Sequence, residues 1–419
     1  MKVSFKGGDI AGTSGCPPSK SHTHRAFFIS SLAGGESMIT DCLLSNDTES
    51  TLRAVESIGA EITRGEDGIS VKGGRLHAPE GIIDVDNSGT TMRIFAGIAS
   101  MFDRKVTITG DESIRKRPMG PLLDALGRMG VACSSDGGRP PVEIKGSNKG
   151  GRVTIDGGIS SQFITSLLIV SPMLPNDTEI EIGGTMVSGP YIDVTVHMMG
   201  LFGANVVREG NIFRIEGGTG YRPYDYRVPA DFSSAAFLLV AGALGGEVTV
   251  NGLQMDDPQG DKVIVDILGD VGASVCAGRD SVTVMKKDLL AKDIDIGGCP
   301  DLFPILAVLL STAEGNSRLY GAPQLKFKES DRILTTVNML NAIGADAEAT
   351  DDGCIIHGKK RLSGGTVENE KDHRIMMAAA VASIVCDGPV VMDNADCCSV
   401  SYPGFLEDAG RLGIRYEVL

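Results

Sequence analysis

Two spacings of apolar residues alternate along this chain, and the alternation repeats about every 70 residues. In each stretch, a short run in which every second residue is apolar predicts a strand. A longer run with apolar residues every three to four positions then predicts a helix. Alternating strands and a second helix complete the stretch. The predicted repeat is βαβαββ, as in the stretch that begins with strand 82–86 and helix 87–98.

A glycine between larger side chains follows the second helix of every repeat. Glycine reaches positive φ without a steric penalty, and helices often end at such a residue. We therefore predict a left-handed helix C-cap at each of these glycines. The six steps are Ile58-Gly59-Ala60, Met129-Gly130-Val131, Phe202-Gly203-Ala204, Val271-Gly272-Ala273, Ile343-Gly344-Ala345 and Leu412-Gly413-Ile414.

The sixth repeat lacks a closing strand after residues 415–419. Residues 3–8 resemble the closing strand of the first repeat at 69–74, so residues 1–18 are predicted to complete the sixth repeat. Because four-residue strands recur easily, a chance match is the alternative. The resulting α/β (α+β) fold has three repeats in a continuous domain, 19–228, and three in a discontinuous domain, 1–18 plus 229–419. The two crossings, near 17–19 and 228–230, form a predicted hinge.

The charge and composition exclude several classes of protein. The net charge of −15 argues against broad binding to nucleic acid or to anionic membranes, and requires any anion site to be locally basic. No stretch is long and apolar enough to span a membrane, and the first residues lack the layout of a signal peptide. Nine cysteines without CxxC pairs suggest reduced thiols and a cytoplasmic protein. The six histidines do not cluster with cysteines, so no metal is expected.

Polar residues precede the first helix of each repeat. Serine, asparagine and aspartate are ordinary N-caps, and this explanation suffices for most of them singly. Helix N-termini also bind phosphates through their free N–H groups, so several such ends brought together would form an anion site. The segments are Ser19-Lys20-Ser21, Asn87-Ser88-Gly89-Thr90, Ser160-Ser161-Gln162, Asp231-Phe232-Ser233-Ser234, Pro300-Asp301 and Asp372-His373-Arg374.

Basic residues stand where the second helices begin, which is unusual in an acidic protein. Arg117 is predicted to open a helix, where its charge opposes the helix dipole. Lys328 and Arg332, four residues apart, are predicted to share one face of a helix start and therefore to bind an anionic ligand between them. Among such cations, Asp301 and Glu329 suit acid–base chemistry, although N-capping is the alternative. The gathered cations are Lys20, Arg25, Arg93, Arg117, Lys328, Arg332 and Arg374.

Seven segments in this order resemble the EPSP synthase family of enolpyruvyl transferases over essentially the whole chain. They are Pro18-Ser19-Lys20-Ser21-His22-Thr23-His24-Arg25, Asp86-Asn87-Ser88-Gly89-Thr90-Thr91-Met92-Arg93, Lys116-Arg117-Pro118-Met119, Ser160-Ser161-Gln162-Phe163, Ser188-Gly189-Pro190-Tyr191-Ile192-Asp193, Lys328-Glu329-Ser330-Asp331-Arg332 and Asp372-His373-Arg374. The resemblance implies a two-domain inside-out α/β barrel. It also implies transfer of the enolpyruvyl group of phosphoenolpyruvate to the 5-hydroxyl of shikimate 3-phosphate, without metal or organic cofactor. The implied partners are these two small molecules, not nucleic acid or a membrane, and the implied working form is a monomer.

The resemblance also implies roles for individual residues. Asp301, Glu329 and Lys20 would be catalytic, and which group moves which proton stays open because coupled groups share their protonation equilibria. Shikimate 3-phosphate would contact Lys20, Ser21, Arg25, Ser160, Ser161, Gln162, Ser188, Tyr191, Asp301 and Lys328. Phosphoenolpyruvate would contact Lys20, Gly89, Arg117, Gln162, Lys328, Arg332 and Arg374. Replacing Lys20 or Arg332 by alanine is expected to abolish turnover with little change in thermal unfolding.

The sequence departs from the family pattern at a few positions. Val400 occupies the place of a lysine that many members carry, so one phosphate contact is absent or replaced. Thr91 and Ile94 replace the usual alanine and proline, which leaves sensitivity to phosphoenolpyruvate-mimicking inhibitors open. Two alternatives remain: the UDP-N-acetylglucosamine 1-carboxyvinyltransferases, whose reactive cysteine is absent from 110–117, and a non-catalytic repeat scaffold, which leaves the gathered cations unexplained.

Overall fold

The computed structural model describes residues 1–184 and 186–419. The chain divides into two compact units, each with its own apolar core. The continuous unit is Pro18–Val228, and the discontinuous unit joins Met1–Pro17 to Pro229–Leu419.

The helices follow the predicted alternation of first and second helices. No helix in the described part of the chain combines the length and apolar character that a membrane crossing requires. In the continuous unit they are α1 (Lys20–Leu32), α2 (Asn46–Ser57), α3 (Gly89–Ala99), α4 (Gly120–Arg128), α5 (Ser161–Val170) and α6 (Gly189–Leu201). In the discontinuous unit they are α7 (Phe232–Gly245), α8 (Ile264–Asp270), α9 (Phe303–Leu310), α10 (Arg332–Ala342), α11 (His373–Ala382) and α12 (Phe405–Arg411).

The strands are short, as expected for small repeated sheets. The N-terminal pair is β1 (Val3–Lys6) and β2 (Ile10–Ser14). The continuous unit contains β3 (Glu36–Thr40), β4 (Glu61–Arg64), β5 (Gly68–Lys72), β6 (Ile82–Asp84), β7 (Val106–Thr109), β8 (Ala132–Asp136), β9 (Arg139–Lys145), β10 (Gly151–Asp156), β11 (Thr178–Gly183), β12 (Val206–Glu209), β13 (Ile212–Ile215) and β14 (Tyr226–Arg227). The discontinuous unit adds β15 (Gly246–Asn251), β16 (Ser274–Ala277), β17 (Ser281–Met285), β18 (Ile294–Asp295), β19 (Asn316–Tyr320), β20 (Ala347–Ala349), β21 (Cys354–His357), β22 (Gly365–Val367), β23 (Val390–Met392) and β24 (Arg415–Val418).

In the described residues, six four-stranded sheets share one topology. Each begins with a parallel pair and continues with two antiparallel pairs. The continuous unit holds the sheets β14-β3-β5-β4, β6-β7-β9-β8 and β10-β11-β13-β12. The discontinuous unit holds β2-β15-β17-β16, β18-β19-β21-β20 and β22-β23-β1-β24.

The first helix of each repeat lies in the interior of its unit. α9 is buried along its whole length, and α7 is buried at every position except its last glycine. Such helices are apolar or small around their full circumference, as interior helices must be. The sheets bury alternate side chains, as the pattern of β11 illustrates. The predicted fold class, an inside-out α/β arrangement of six βαβαββ repeats with three in each unit, is confirmed.

The N-terminal residues complete two sheets rather than one. β1 pairs with β23 and β24, which confirms that residues 3–6 close the sixth repeat. The prediction that all of residues 1–18 belong to that repeat is wrong, because β2 pairs in parallel with β15 of the fourth repeat. In turn, β14 directly precedes the fourth repeat along the chain but pairs with β3 of the first. The first strands of repeats one and four are thus exchanged where the chain crosses between units.

The six repeated glycines all have positive φ. Gly59, Gly130, Gly203, Gly272, Gly344 and Gly413 have φ values of 104°, 86°, 86°, 104°, 90° and 108°. Each lies two residues beyond its helix. The predicted left-handed C-caps are therefore confirmed at every repeat.

Candidate active site

In the continuous unit, the starts of several helices are joined by side-chain contacts. The Lys20 ammonium, at the start of α1, donates to the Asp47 carboxylate of α2 at 3.1 Å. The Thr91 hydroxyl of α3 donates to the Asp47 backbone oxygen at 3.4 Å. The Gln162 amide of α5 donates to the Thr90 hydroxyl at 2.9 Å. Four helix N-termini therefore lie together, which is the arrangement that favours anion binding.

Arg25 links this cluster to α6 from a fully buried position. Its guanidinium donates to Thr195 Oγ1 at 2.8 Å and to the backbone oxygens of Tyr191 and Ser21 at 3.0 and 2.8 Å. Burial lowers the pKa of Arg25 to about 10. These acceptors are uncharged, so the positive charge of Arg25 adds to the local attraction for an anion.

Arg117 lies outside a helix, contrary to prediction. It ends a 3₁₀ turn at Ile114–Lys116 with extended φ and ψ, as a residue before proline favours, and α4 begins three residues later. Its guanidinium donates to Asn87 Oδ1 at 3.2 Å and to Ser113 Oγ at 3.4 Å. Arg117 is therefore held against the segment that precedes α3.

The serines predicted to contact phosphate surround the starts of α5 and α6. Ser160 caps α5 by accepting the Gln162 N–H at 3.3 Å, and Ser161 is the first residue of that helix. Ser188 precedes α6 with φ of +55°, a left-handed conformation uncommon for residues other than glycine. Such strain is concentrated at functional sites, which supports a role for Ser188.

In the discontinuous unit, Asp301 receives three cationic side chains. Its Oδ1 accepts from Lys328 Nζ at 3.2 Å and from Arg332 Nη1 at 2.9 Å, and its Oδ2 accepts from Arg374 Nη2 at 3.0 Å. Burial favours protonation of Asp301, but Arg374, Lys328 and Arg332 outweigh it and hold the pKa of this carboxyl well below its usual range. The sequence interpretation placed an external anion between Lys328 and Arg332, and in this structure the Asp301 carboxylate lies there.

Arg332 is the centre of the same ionic cluster. Its side chain is 1% exposed and contacts the carboxylates of Asp301, Glu329 and Asp372. The prediction that Lys328 and Arg332 share a helix face is wrong, because Asp331 caps α10 and makes Arg332 its first residue. Lys328 precedes the helix in an extended conformation.

Two acidic residues in the clusters were absent from the predicted site. Asp372 caps α11 by accepting the Arg374 N–H at 2.9 Å, and the same carboxylate accepts from Arg332 Nε at 2.9 Å. Asp47 holds Lys20, as described above. Asp372 lies in one of the helix-start segments identified in the sequence, where N-capping already accounted for it, whereas the sequence reasoning did not single out Asp47.

A second buried carboxyl lies near Asp301. The Ser233 hydroxyl of α7 donates to Asp261, which is 2% exposed. Burial, together with the nearby Asp301 carboxylate, raises the pKa of Asp261 to about 7. The two carboxyls therefore differ sharply in their affinity for a proton. Pairs of groups with such different pKa values are typical of sites that carry out acid–base chemistry.

The two clusters differ in what they offer a ligand. Helix N-termini, serines and buried arginines in the continuous unit suit phosphate and carboxylate groups. Three cations around one ionised carboxylate in the discontinuous unit suit proton transfer beside an anion. Within residues 1–184 and 186–419, no three histidine, cysteine or acidic side chains are grouped as a metal ion would require.

Comparison with known proteins identifies the family. The model of the family described as EPSP synthase (3-phosphoshikimate 1-carboxyvinyltransferase) matches residues 5–409. The 3-phosphoshikimate 1-carboxyvinyltransferases of Methanocorpusculum labreanum and Methanocella arvoryzae are 49% and 43% identical, covering 99% and 98% of both chains. An EPSP synthase structure from Acinetobacter baumannii is similar over 100% of this chain and 99% of that chain, with a TM-score of 0.82 and 28% identity. The chain therefore belongs to the EPSP synthase family.

Proposed function

We propose that this chain transfers the enolpyruvyl group of phosphoenolpyruvate to the 5-hydroxyl of shikimate 3-phosphate and releases phosphate. Family membership over residues 5–409 supports the reaction. The observation that carries the chemistry is the ionised Asp301 carboxylate surrounded by Lys328, Arg332 and Arg374. A base among cations suits a reaction in which a hydroxyl attacks an anionic substrate.

The proposed reaction has two steps, an addition and an elimination, and side chains of the site carry the protons in both. The 5-hydroxyl loses its proton to a carboxylate as its oxygen bonds to C2 of phosphoenolpyruvate, while the methylene carbon gains a proton. The intermediate then expels phosphate and returns a methyl proton to an acid–base group. Asp301 and Glu329 are the proposed proton carriers, with Lys20 and Lys328 assisting. Fixed cations stabilise the charges and orient the two substrates.

The binding groups are proposed as follows. Ser21, Arg25, Ser160, Ser161, Ser188 and Tyr191 of the continuous unit hold shikimate 3-phosphate. Gly89, Arg117, Arg332 and Arg374 hold phosphoenolpyruvate. Lys20, Gln162 and Lys328 contact both substrates, and Asp301 also contacts the shikimate ring. Support comes from the contacts within each cluster: helix starts and Arg25 in one unit, and the Asp301 cluster in the other.

We also propose that the chain works as a monomer in the cytoplasm, with only small molecules as partners. The nine cysteines are free thiols, which suits a reducing compartment.

The decisive assay measures phosphate release from phosphoenolpyruvate with each acceptor in turn. We expect release with shikimate 3-phosphate and none above background with UDP-N-acetylglucosamine. The acceptor dependence identifies the reaction because both acceptors offer a hydroxyl but differ in the anionic group to be held. Release only with UDP-N-acetylglucosamine would overturn the assignment.

Replacing Gly89 by alanine is expected to weaken phosphoenolpyruvate binding selectively. An added Cβ would lie 2.7 Å from Arg117 Nη1, so the guanidinium must move. Loss of a well-placed charged hydrogen bond should raise KM for phosphoenolpyruvate by about tenfold or more, with a smaller change for shikimate 3-phosphate. Steady-state kinetics with each substrate varied test this, with the exposed Gly127→Ala as the control. Equal changes in both KM values would contradict it.

A further inference from the structure

Arg93 lies beside the proposed binding residues but is not among them. It is 7% exposed, and its guanidinium lies over the Phe163 ring at 5.2 Å. Its Nη1 donates to Gln162 Oε1 at 2.6 Å and to Ser160 Oγ at 3.4 Å. Arg93 on α3 therefore contacts three residues at the start of α5.

The contact with Arg93 fixes which end of the Gln162 amide faces which neighbour. A guanidinium has only donors, so the amide oxygen must face Arg93. The amide nitrogen consequently lies on the opposite side, where it donates to Thr90 Oγ1 at 2.9 Å. This direction follows from the chemistry of arginine and does not depend on distinguishing nitrogen from oxygen by position.

The same reasoning extends to Thr90. Its hydroxyl oxygen accepts from Gln162, so its single proton is directed elsewhere. Thr90 is partly exposed at the second residue of α3, beside Gly89. Its hydroxyl and the second N–H of Gln162 are thus both donors at a helix N-terminus, a place that favours oxyanions.

We propose that Arg93 is a positioning residue that fixes the direction of a hydrogen-bond chain from Arg93 through Gln162 to Thr90. This hydrogen-bond chain leaves only donor groups at this edge of the site. Thr90 donates to a phosphate or carboxylate oxygen of a substrate. The inference rests on the proposed function, because Gln162 is one of its binding residues. The contact with the Phe163 ring holds the Arg93 guanidinium in place.

The test is a double-mutant cycle on Thr90 and Arg93. Thr90→Val keeps the shape but removes the hydroxyl, and should raise KM for one substrate by about tenfold with little change in the thermal midpoint. Thr90→Ser should restore most of the loss. Arg93→Met should raise the same KM, and Arg93→Lys, which still donates, should recover part of it. In the Arg93→Met background, Thr90→Val should add less than about threefold, because the chain is already broken.

The controls separate the possible failures. Thr63→Val and Arg104→Gln, both at exposed positions of the same unit, should leave both KM values unchanged. Inactivity of the unaltered enzyme with both substrates would overturn the proposed function itself. If the enzyme is active but Thr90→Val raises KM by the same factor in the unaltered protein and in Arg93→Met, the proposed hydrogen-bond chain is wrong. An Arg93→Met variant whose only change is a lower thermal midpoint would also contradict it.

Discussion

Asp301→Asn is expected to lower kcat by about 10²–10⁴-fold, the range of a lost acid–base group. The same change should tighten binding of phosphoenolpyruvate by roughly tenfold, because a charged protein acceptor no longer competes with the ligand. Asp301 forms ion pairs with Lys328, Arg332 and Arg374 in this structure, so the same carboxylate is both the candidate base and a competitor of the substrate anion. A substrate anion that binds these cations in place of Asp301 also frees the Asp301 carboxylate to accept a proton.

Calorimetric titration with phosphoenolpyruvate, in the presence of shikimate 3-phosphate, measures the affinity, and phosphate release measures turnover. Asp266→Asn, at an exposed position of α8, is the matched control and should change neither. Weaker binding by Asp301→Asn would show that the carboxylate organises the cations and does not compete with the ligand. Turnover within about threefold of the unaltered enzyme would remove Asp301 from the proton transfers.

Local requirements of the backbone made much of the fold predictable from the sequence. Gly59 and its five equivalents were identifiable because few other residues adopt positive φ at a helix end. The exchange of β2 and β14 was not, because β14 has two residues and its pairing with Ile39 and Thr40 is decided by the crossing of the chain. Strand order between distant segments has no local signal of that kind.

In the candidate site, too, local features were predictable from the sequence and long-range contacts were not. Cations at helix starts were recognisable because they are unusual at such positions in an acidic protein. The ion pairs were not, because Asp301 and Arg374 are 73 residues apart in the chain. Asp372 shows why: its capping role was an adequate local explanation that concealed its bond to Arg332.

The ionic cluster also revises what is expected of Arg332→Ala. The sequence suggested lost turnover with nearly unchanged unfolding, but Arg332 is fully buried among three carboxylates. Removing one partner of a buried charge network leaves uncompensated charge and costs about 3–5 kcal/mol. The thermal midpoint should therefore fall at pH 7, together with turnover. Lys20→Ala breaks one partly exposed pair and should cost about 1 kcal/mol or less.

The pH dependence distinguishes lost charge from lost packing. The pKa of Asp301 is depressed in the folded state, so its stabilising contribution is present above the unfolded pKa of about 3.9 and is lost as the pH falls through the folded value. Without Arg332 that depression weakens, and acid protonates the remaining carboxylates. The gap in thermal midpoint between the unaltered protein and Arg332→Ala should therefore stay nearly constant from pH 7 to about pH 4 and narrow as the pH falls below about 4. Arg332→Met, which retains most of the volume, should behave similarly, whereas a gap independent of pH would assign the loss to the cavity.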